Sequence, residues 1–287
     1  MTLARRLLMG AGGSGSFEVE MAIPDPRVYD STPTSGRSTL YNPLTDPGNG
    51  LYARVIKSTP GLMQWWRLGK TFSAWGSAAS HPPFWANSAG ASTLWSPAGS
   101  TLASGLLTGD ADGACALTAS QYLEAFDYFV QPSTHEIITA ECWVNLSASG
   151  ADTALMGEWA SGNGWMIRAG GTDLELYVGS NHIDAAGVLT TGVKHHIVGV
   201  IGGTQAGATT PDYYSRLYVD GAEVVNGITL TGALTTTTSR FQINQYGAAG
   251  GTGLAAGTWD EVATYSRMLQ PDEITQHHQA GLGVLWP

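Results

Sequence analysis

The segment that decides the fold class is residues 138–146, which read ITAECWVNL. Its apolar residues fall at every second position, so an extended strand would have one apolar face. The same alternation recurs in residues 173–178 and 217–219, and the latter run ends in Asp220-Gly221, a pair typical of hairpin turns. Short alternating strands between glycine-rich turns predict an all-β fold, an antiparallel β-sandwich or jelly roll.

One short C-terminal helix is the exception to this pattern. Pro271 stands at the expected first helical position, where the amide that proline lacks would have no partner anyway. Asp272 and Glu273 follow it, and their charges complement the positive end of a helix dipole. Gly281 and Gly283 favour an end to the helix there.

Composition and charge exclude several classes of protein. Only 13% of the 287 residues are charged, and no apolar run approaches the roughly 20 residues of a membrane-spanning helix. The formal net charge is −10, yet 8 of the 13 basic and only 5 of the 23 acidic residues lie in the first 70 positions. An acidic body does not favour nucleic-acid binding.

Residues 1–50 differ from the rest in composition as well as in charge. Residues 10–16 form a Gly/Ser-rich linker, and 6 of the 13 prolines lie between Pro24 and Pro60, which favours extended chain. We therefore divide the chain into residues 1–50, which comprise a basic leader, the Gly-rich linker and an extended Pro-rich anchoring arm, and residues 51–287, which form the globular domain. The arm either orders on a partner or is a disordered leader. The docking candidates are its arginines, Arg5, Arg6, Arg27 and Arg37.

Five segments in order carry a resemblance to a known family. They read GLMQWWRLG (61–69), AECWV (140–144), KHHIVGV (194–200), LYVDG (217–221) and WDEVATYSRML (259–269). Together they resemble the laminin G-like, concanavalin A-like jelly-roll domains over about residues 52–283. The resemblance implies the fold, whereas the function stays open because such folds carry many activities.

A second resemblance concerns the biological setting. A jelly roll behind a short basic leader and a glycine-rich linker resembles minor tail proteins of tailed bacteriophages. This resemblance implies a structural virion protein at the tail or tail tip, assembled in the host cytoplasm and docked on other virion proteins through residues 1–50. It also implies a homo-oligomer, for which we expect a trimer. A capsid decoration protein and a stand-alone carbohydrate-binding module are the alternatives.

Catalysis is not expected from the sequence. Glycoside hydrolysis needs two carboxylates about 5–9 Å apart across the scissile bond. Glycosidases of concanavalin A-like folds resemble one another in a Glu-x-Asp-x-x-Glu pattern, which this sequence lacks. The nearest pair of carboxylates is Asp173 and Glu175. The sequence also lacks a nucleophile elbow, a P-loop and a His-Glu-x-x-His zinc motif. We expect a protein that is not an enzyme.

Tryptophans supply the candidate glycan contacts. Three recur at a spacing of ten within residues 71–100, which we interpret as a long loop. They either stack on host cell-wall polysaccharide or pin the loop to the sheet. A fourth shares its strand face with a glutamate and an asparagine, and we place that face on a concave sheet. The candidates are Trp75, Trp85, Trp95, Trp143, Glu141 and Asn145.

A short acidic loop is the candidate metal site. Asp110 and Asp112 supply carboxylate oxygens, which Ca²⁺ prefers, and Asp260 is a third candidate. The alternative is a turn in which an aspartate caps its own backbone.

The adjacent histidines and the cysteines are not expected to bind metal. His195 and His196 are expected to be structural, and His277 and His278 are expected to be exposed on the C-terminal helix. Cys115 and Cys142 are expected to be buried thiols.

Overall fold

A computed structural model describes residues 50–69, 84–85, 94–96, 99–125, 137–148, 152–204, 212–231, 240–247 and 253–284. Its helices are α1 (Leu51–Ser58) and α2 (Pro271–Gly281). Its strands are β1 (Leu62–Trp66), β2 (Phe84–Trp85), β3 (Leu94–Trp95), β4 (Thr101–Ser104), β5 (Gly113–Leu117), β6 (Leu123–Ala125), β7 (Ile137–Leu146), β8 (Thr153–Ala160), β9 (Asn163–Gly170), β10 (Asp173–Val178), β11 (Asn181–Ala185), β12 (Lys194–Thr204), β13 (Asp212–Val219), β14 (Ala222–Thr231), β15 (Gln242–Ile243) and β16 (Gly257–Tyr265).

These strands form two antiparallel sheets. The first sheet has the order β14-β13-β12-β7-β16-β5-β4, and β1 pairs with β16 beside this path. The second sheet has the order β11-β10-β9-β8-β15-β6-β3-β2. The expected antiparallel β-sandwich is therefore confirmed.

The hairpin predicted at residues 217–221 joins β13 to β14. Asp220 and Gly221 take positive φ values of 52° and 78°, which match the twist of the flanking strands. A second hairpin of this kind joins β8 to β9 through Ser161 and Gly162, with φ values of 53° and 81°. Trp159 lies in β8 two residues before Ser161 and so next to this second turn.

Apolar side chains from both sheets form the main core between them. Cys142 and Val144 of β7 belong to this core, together with Ile167 of β9. Trp66 is fully buried there, as expected, and its ring stacks on Phe241 at 5.3 Å between centroids.

Both cysteines are buried free thiols, which confirms the expectation. Burial raises the pKa of the Cys115 thiol to about 12, and it raises the pKa of Cys142 as well. Neither thiol is therefore ionised at neutral pH, and both act as small apolar core residues.

A second apolar core lies on the outer face of the first sheet, under the two helices. Helix α2 was expected, and Glu273 accepts a hydrogen bond from the backbone of Gln270 at its start (2.8 Å). Helix α1 was not expected. It places Tyr52, Ala53 and Ile56 in this core, but two turns are too short for a helical period to stand out in the sequence.

Residues 84–85 and 94–95 are short paired strands that extend the second sheet, so the interpretation of 71–100 as one long loop was wrong at these positions.

Neither helix in the described ranges is long and apolar enough to cross a membrane.

Candidate functional site

Helices α1 and α2 cover the face that carries three of the predicted glycan contacts. Alternation does place Glu141 and Trp143 on the face opposite Cys142. However, Trp143 is only 1% exposed and Glu141 is fully buried. The Trp143 ring stacks on His196 at 5.1 Å and on His278 at 5.7 Å. A sugar cannot reach these side chains in this structure, so their assignment as glycan contacts is corrected.

The last turn of α2 lies directly on the Trp143 ring. A Cβ atom added at Gly281 would lie 2.1 Å from the indole, so only glycine fits at this close approach. Asn145, at the end of β7, is partly exposed, and its Nδ2 donates to the carbonyl of Gly192 at 3.4 Å.

Glu141 is the centre of a buried polar network under the helices. The hydroxyl of Tyr265 donates to its Oε1 at 2.5 Å. The Nδ1 of His277 and the Nε2 of His196 lie 3.0 and 3.1 Å from its Oε2. On the other side of the His277 ring, Nε2 lies 2.9 Å from the hydroxyl of Thr59. The network thus joins both helices to the sheet, and the expectation that His277 is exposed was wrong.

The charge on Glu141 follows from its partners. Burial alone would raise the pKa of this carboxyl, because a dry environment disfavours charge. The charge of His277 and the hydrogen bonds from His196 and His277 outweigh burial and hold the pKa well below its usual range. Glu141 is therefore a carboxylate at neutral pH, and its role is to hold the helices.

The predicted calcium ligands surround a guanidinium instead. Arg67 Nη2 lies 2.6 Å from Asp110 Oδ2, and Arg67 Nε lies 3.1 Å from Asp112 Oδ2 and 3.0 Å from Glu261 Oε1. Asp110 also caps the loop backbone, because its Oδ1 accepts the amide of Asp112 at 3.0 Å. The capping alternative is thus the one observed.

Asp260, the third calcium candidate, is buried and accepts the amide of Leu106 at 2.9 Å. Burial raises the pKa of Asp260, and it raises that of the neighbouring Glu261 to about 8. Within the described part of the chain, no three His, Cys, Asp or Glu side chains are grouped to hold a metal ion.

The three tryptophans of residues 71–100 have different outcomes. Trp75 lies outside the described residues, as do the docking candidates Arg5, Arg6, Arg27 and Arg37. Trp85 pairs with Leu94 in the β2–β3 ladder. Trp95 is partly exposed and pairs with Glu124, so it lies on the outer face of the second sheet.

The outer face of the second sheet can be followed across its strands by register. Its middle is buried: Glu124 is 8% and Gln242 is 2% exposed. At the β10–β11 edge the side chains become accessible, because Tyr177 is partly exposed and His182 is exposed. The row that links these positions is Trp95, Glu124, Gln242, Gly157, Met166, Tyr177 and His182.

Aromatic rings cluster at the accessible end of this face. The Trp159 ring meets Tyr177 edge-to-face at 6.4 Å and Tyr246 edge-to-face at 5.3 Å. His182 stacks on Tyr177 at 4.8 Å. The indole Nε1 of Trp159 donates to the carbonyl of Gly179 at 3.0 Å, which fixes the orientation of its partly exposed ring.

Charged groups border these rings. Arg168 lies over the Tyr177 ring at 4.7 Å, and its Nη2 donates to the Tyr177 hydroxyl at 2.8 Å. Its Nε donates to Glu175 Oε2 at 2.6 Å. Burial and the nearby charge of Glu175 raise the pKa of Tyr177, so its hydroxyl stays protonated. We call Trp159, Tyr177, His182 and Tyr246 with Arg168 and Glu175 the aromatic face.

The sequence contained one signal for this site. Trp159 and Trp165 flank Gly162-Asn163-Gly164, a run typical of hairpins, and such a pair of rings is expected either to cap a sheet edge or to line a groove. The structure separates them: Trp165 is fully buried in the main core, whereas Trp159 lies on the aromatic face. Tyr177 and His182 were missed because only the strand order places them beside Trp159.

A family model described as "Concanavalin A-like lectin/glucanases superfamily" matches residues 117–275, which is more than half of the chain. The chain belongs to this superfamily. The match bears out the laminin G-like, concanavalin A-like resemblance of the five sequence segments. No curated protein sequence matches this member of the superfamily.

Two solved structures share the fold of this superfamily member. Domain 4 of AbnA, a GH43 extracellular arabinanase from Geobacillus stearothermophilus in complex with arabinotriose, aligns with a TM-score of 0.52 and 16% identity, over 76% of this chain and 98% of that chain. Trypanosoma rangeli sialidase in complex with the inhibitor DANA aligns with a TM-score of 0.52 and 15% identity. That alignment covers 78% of this chain but only 33% of the sialidase. At these identities the likeness concerns the fold alone.

Proposed function

We propose that this protein is a glycan-binding protein that holds its ligand on the aromatic face. The observation that carries the proposal is the group of partly exposed rings around Trp159 beside hydrogen-bonding side chains. Sugars have apolar C–H faces that pack on aromatic rings and hydroxyls that need polar partners. The superfamily match and the arabinotriose-bound structural neighbour support the same function.

The position of the rings also supports binding. The two helices pack on the first sheet, so the outer face of the second sheet is not covered by α1 or α2. Edge-to-face contacts and the hydrogen bond to Gly179 hold the Trp159 ring in place before any ligand arrives. A preorganised ring loses little conformational entropy on binding.

The test is a binding measurement with a matched control. The full chain is titrated with a panel of cell-wall and neutral polysaccharides, followed by intrinsic tryptophan fluorescence and by calorimetry. We expect Trp159→Ala to weaken binding by about thirtyfold, the loss typical of a central contact. Leu102→Ala removes a 56% exposed apolar side chain from β4 of the other sheet and is the control. Equal affinities of the Trp159 variant and the unchanged chain would refute the site.

The absence of catalysis is part of the proposal. Glu175, the carboxylate among the residues that define the aromatic face, is tied to a cation, because its Oε2 lies 2.6 Å from Arg168 Nε. A glycosidase needs one carboxyl that can donate a proton and a second that is free to attack or to activate water. We therefore expect bound oligosaccharides to be recovered intact after long incubation, and release of shorter products would contradict this expectation.

We also propose that the binding domain is displayed on a tailed bacteriophage, as a minor tail or tail-tip protein anchored through residues 1–50. The basic leader around Arg5 and Arg6 and the proline content of the segment after it contrast with the acidic remainder and support an anchoring role. Immunogold labelling of phage particles is expected at the tail tip. Labelling of the head would favour a capsid decoration protein instead, and unlabelled particles would leave a stand-alone module.

The arm itself can be tested without deleting it. Replacing Arg5, Arg6, Arg27 and Arg37 by alanine removes its four positively charged side chains while the rest of the chain is unchanged. We expect the variant to bind polysaccharide normally but to be depleted from purified particles. Normal incorporation would contradict docking through these arginines.

A further inference from the structure

The charges around the aromatic face are unequal. On β10, Asp173 and Glu175 alternate with core residues and so lie on the same side as Tyr177. Asp184 of β11 pairs with Glu175 and is exposed. Arg168 is the one basic residue among the described residues of β8 to β11. The outward carboxylates of this region therefore outnumber its cations.

Arg168 is itself fully engaged. Its Nε and Nη2 lie 2.6 and 2.5 Å from Glu175 Oε2. Its Nη1 lies 2.7 Å from Asp152 Oδ1, and its Nη2 donates to the Tyr177 hydroxyl at 2.8 Å. The Arg168 side chain is 17% exposed. An anionic ligand would have to displace these carboxylates to reach it, which would break charge-assisted hydrogen bonds without a net gain.

Two of the carboxylates are more exposed to solvent than the Arg168 side chain is. Asp152 is 55% exposed, and Asp184 is exposed beside the His182 ring. The next charged pair along the same face is neutral, since Arg240 Nη1 lies 2.6 Å from Glu124 Oε1. A net negative potential therefore remains beside the rings, and such a field attracts cations and repels anions.

We propose that the aromatic face selects glycans built of neutral or amino sugars and excludes polyanionic glycans. This inference rests on the proposed function and specifies the ligand class of the same site. The rings supply stacking, and the outward carboxylates accept hydrogen bonds from sugar hydroxyls or protonated amines. A ligand that carries carboxylates, phosphates or sulfates meets acidic residues instead.

The test compares three soluble probes with the full chain: a neutral glucan oligosaccharide, a chitosan oligosaccharide and polygalacturonate. We expect polygalacturonate to bind at least tenfold more weakly than the better of the other two. Chitosan binding is expected to weaken several-fold between low and high salt, because screening reduces the attraction. Preferential binding of polygalacturonate would overturn the inference while leaving glycan binding intact. If the protein bound none of the three probes and no polysaccharide of the wider panel, glycan binding itself would be refuted.

A pair of matched variants tests the charge directly. Asp184→Asn removes one carboxylate from the aromatic face, whereas Asp272→Asn removes one exposed carboxylate from the start of α2. Both change the net charge of the protein by the same amount. We expect only the Asp184 variant to weaken chitosan binding, by about threefold, and to reduce the discrimination against polygalacturonate. Equal effects of the two variants would overturn a local origin of the preference.

Discussion

The outer faces of the two sheets carry the same kinds of side chain. The first has Trp143 stacked on His196, and the second has Trp159 in contact with Tyr177, which stacks on His182. Two helices cover the first face, whereas the rings of the second remain partly exposed. An aromatic and polar strand face therefore becomes part of a core where helices cover it and stays accessible where they do not.

The carboxylates of the two faces differ in the same way. Glu141 is fully buried and binds groups from the sheet and from α2. Glu175, at 14% exposure, binds Arg168 beside an accessible ring. A buried carboxylate needs every lone pair satisfied within the protein, while a peripheral one can exchange partners with water or ligand.

The largest effect is expected from removing the covered tryptophan. Trp143→Ala should lower the free energy of unfolding by about 3–5 kcal/mol, because it leaves a cavity beneath α2. Trp159→Ala should lower it by only about 1–2 kcal/mol, because its ring is partly exposed and loses mainly two edge-to-face contacts and one hydrogen bond. Urea unfolding followed by circular dichroism measures both. Equal losses of unfolding free energy in the two variants would show that the two tryptophans do not differ in how far they are covered.

The next effect concerns the covered carboxylate and its dependence on pH. Glu141→Gln should cost about 3 kcal/mol at pH 7, because it leaves His196 and His277 without their anion. The folded pKa of Glu141 is lowered, so its stabilisation is present above the unfolded value of about 4.3 and is lost as the pH falls below it.

Glu175→Gln on the aromatic face is the matched control for Glu141→Gln. Its partner Arg168 is partly exposed, so the change should cost less than about 1 kcal/mol. Urea unfolding of both variants and of the unchanged chain at pH 7 and at about pH 3, more than one unit below the unfolded pKa of about 4.3, makes the comparison. A stability gap between Glu141→Gln and the unchanged chain that stayed constant at low pH would contradict the charged state assigned to Glu141.

A smaller effect is expected at the contact between α2 and Trp143. Gly281→Ala should destabilise the fold by about 1–3 kcal/mol, because the added methyl group would overlap the indole. Gln279→Ala, a partly exposed position two residues earlier in α2, should change stability by less than about 0.5 kcal/mol. Thermal unfolding of both variants distinguishes the contact from a general effect on the helix. A neutral Gly281 variant would mean that α2 does not press on the ring.

The smallest effect on stability is expected from Asp184→Asn. Asp184 is exposed at the edge of the second sheet, so its removal should change unfolding by no more than about 0.5 kcal/mol. The same variant is expected to alter ligand preference, so stability and binding should separate. A loss comparable to that of Glu141→Gln would show that the aromatic face is structural after all.

The sequence predicted the strands well because alternation is a local property. The period of two at residues 138–146 and the Asp220-Gly221 turn correspond to β7 and to the β13–β14 hairpin. Alternation also separated Cys142 from Trp143 correctly. It could not tell which face would be covered, because α1 and α2 come from opposite ends of the domain and meet only in the folded chain.

The site was less predictable for the same reason. Trp159, Tyr177 and Tyr246 lie far apart in the sequence, and only the order of β15, β8, β9 and β10 in the second sheet brings their rings together. The acidic loop at Asp110 and Asp112 suggested a cation, but the sequence did not indicate that Arg67 would supply one. Local spacing identifies candidate groups, and long-range pairing decides their partners.

The most direct measurement is a binding titration with a polysaccharide from the panel that the unchanged chain binds. The unchanged full chain and its Trp159→Ala and Trp143→Phe variants are titrated in parallel. We expect Trp159→Ala to lose about thirtyfold in affinity. We expect Trp143→Phe, which keeps a ring beneath the helices, to bind as the unchanged chain does. Loss of binding on changing Trp143 in a folded protein, with none on changing Trp159, would contradict binding at the aromatic face.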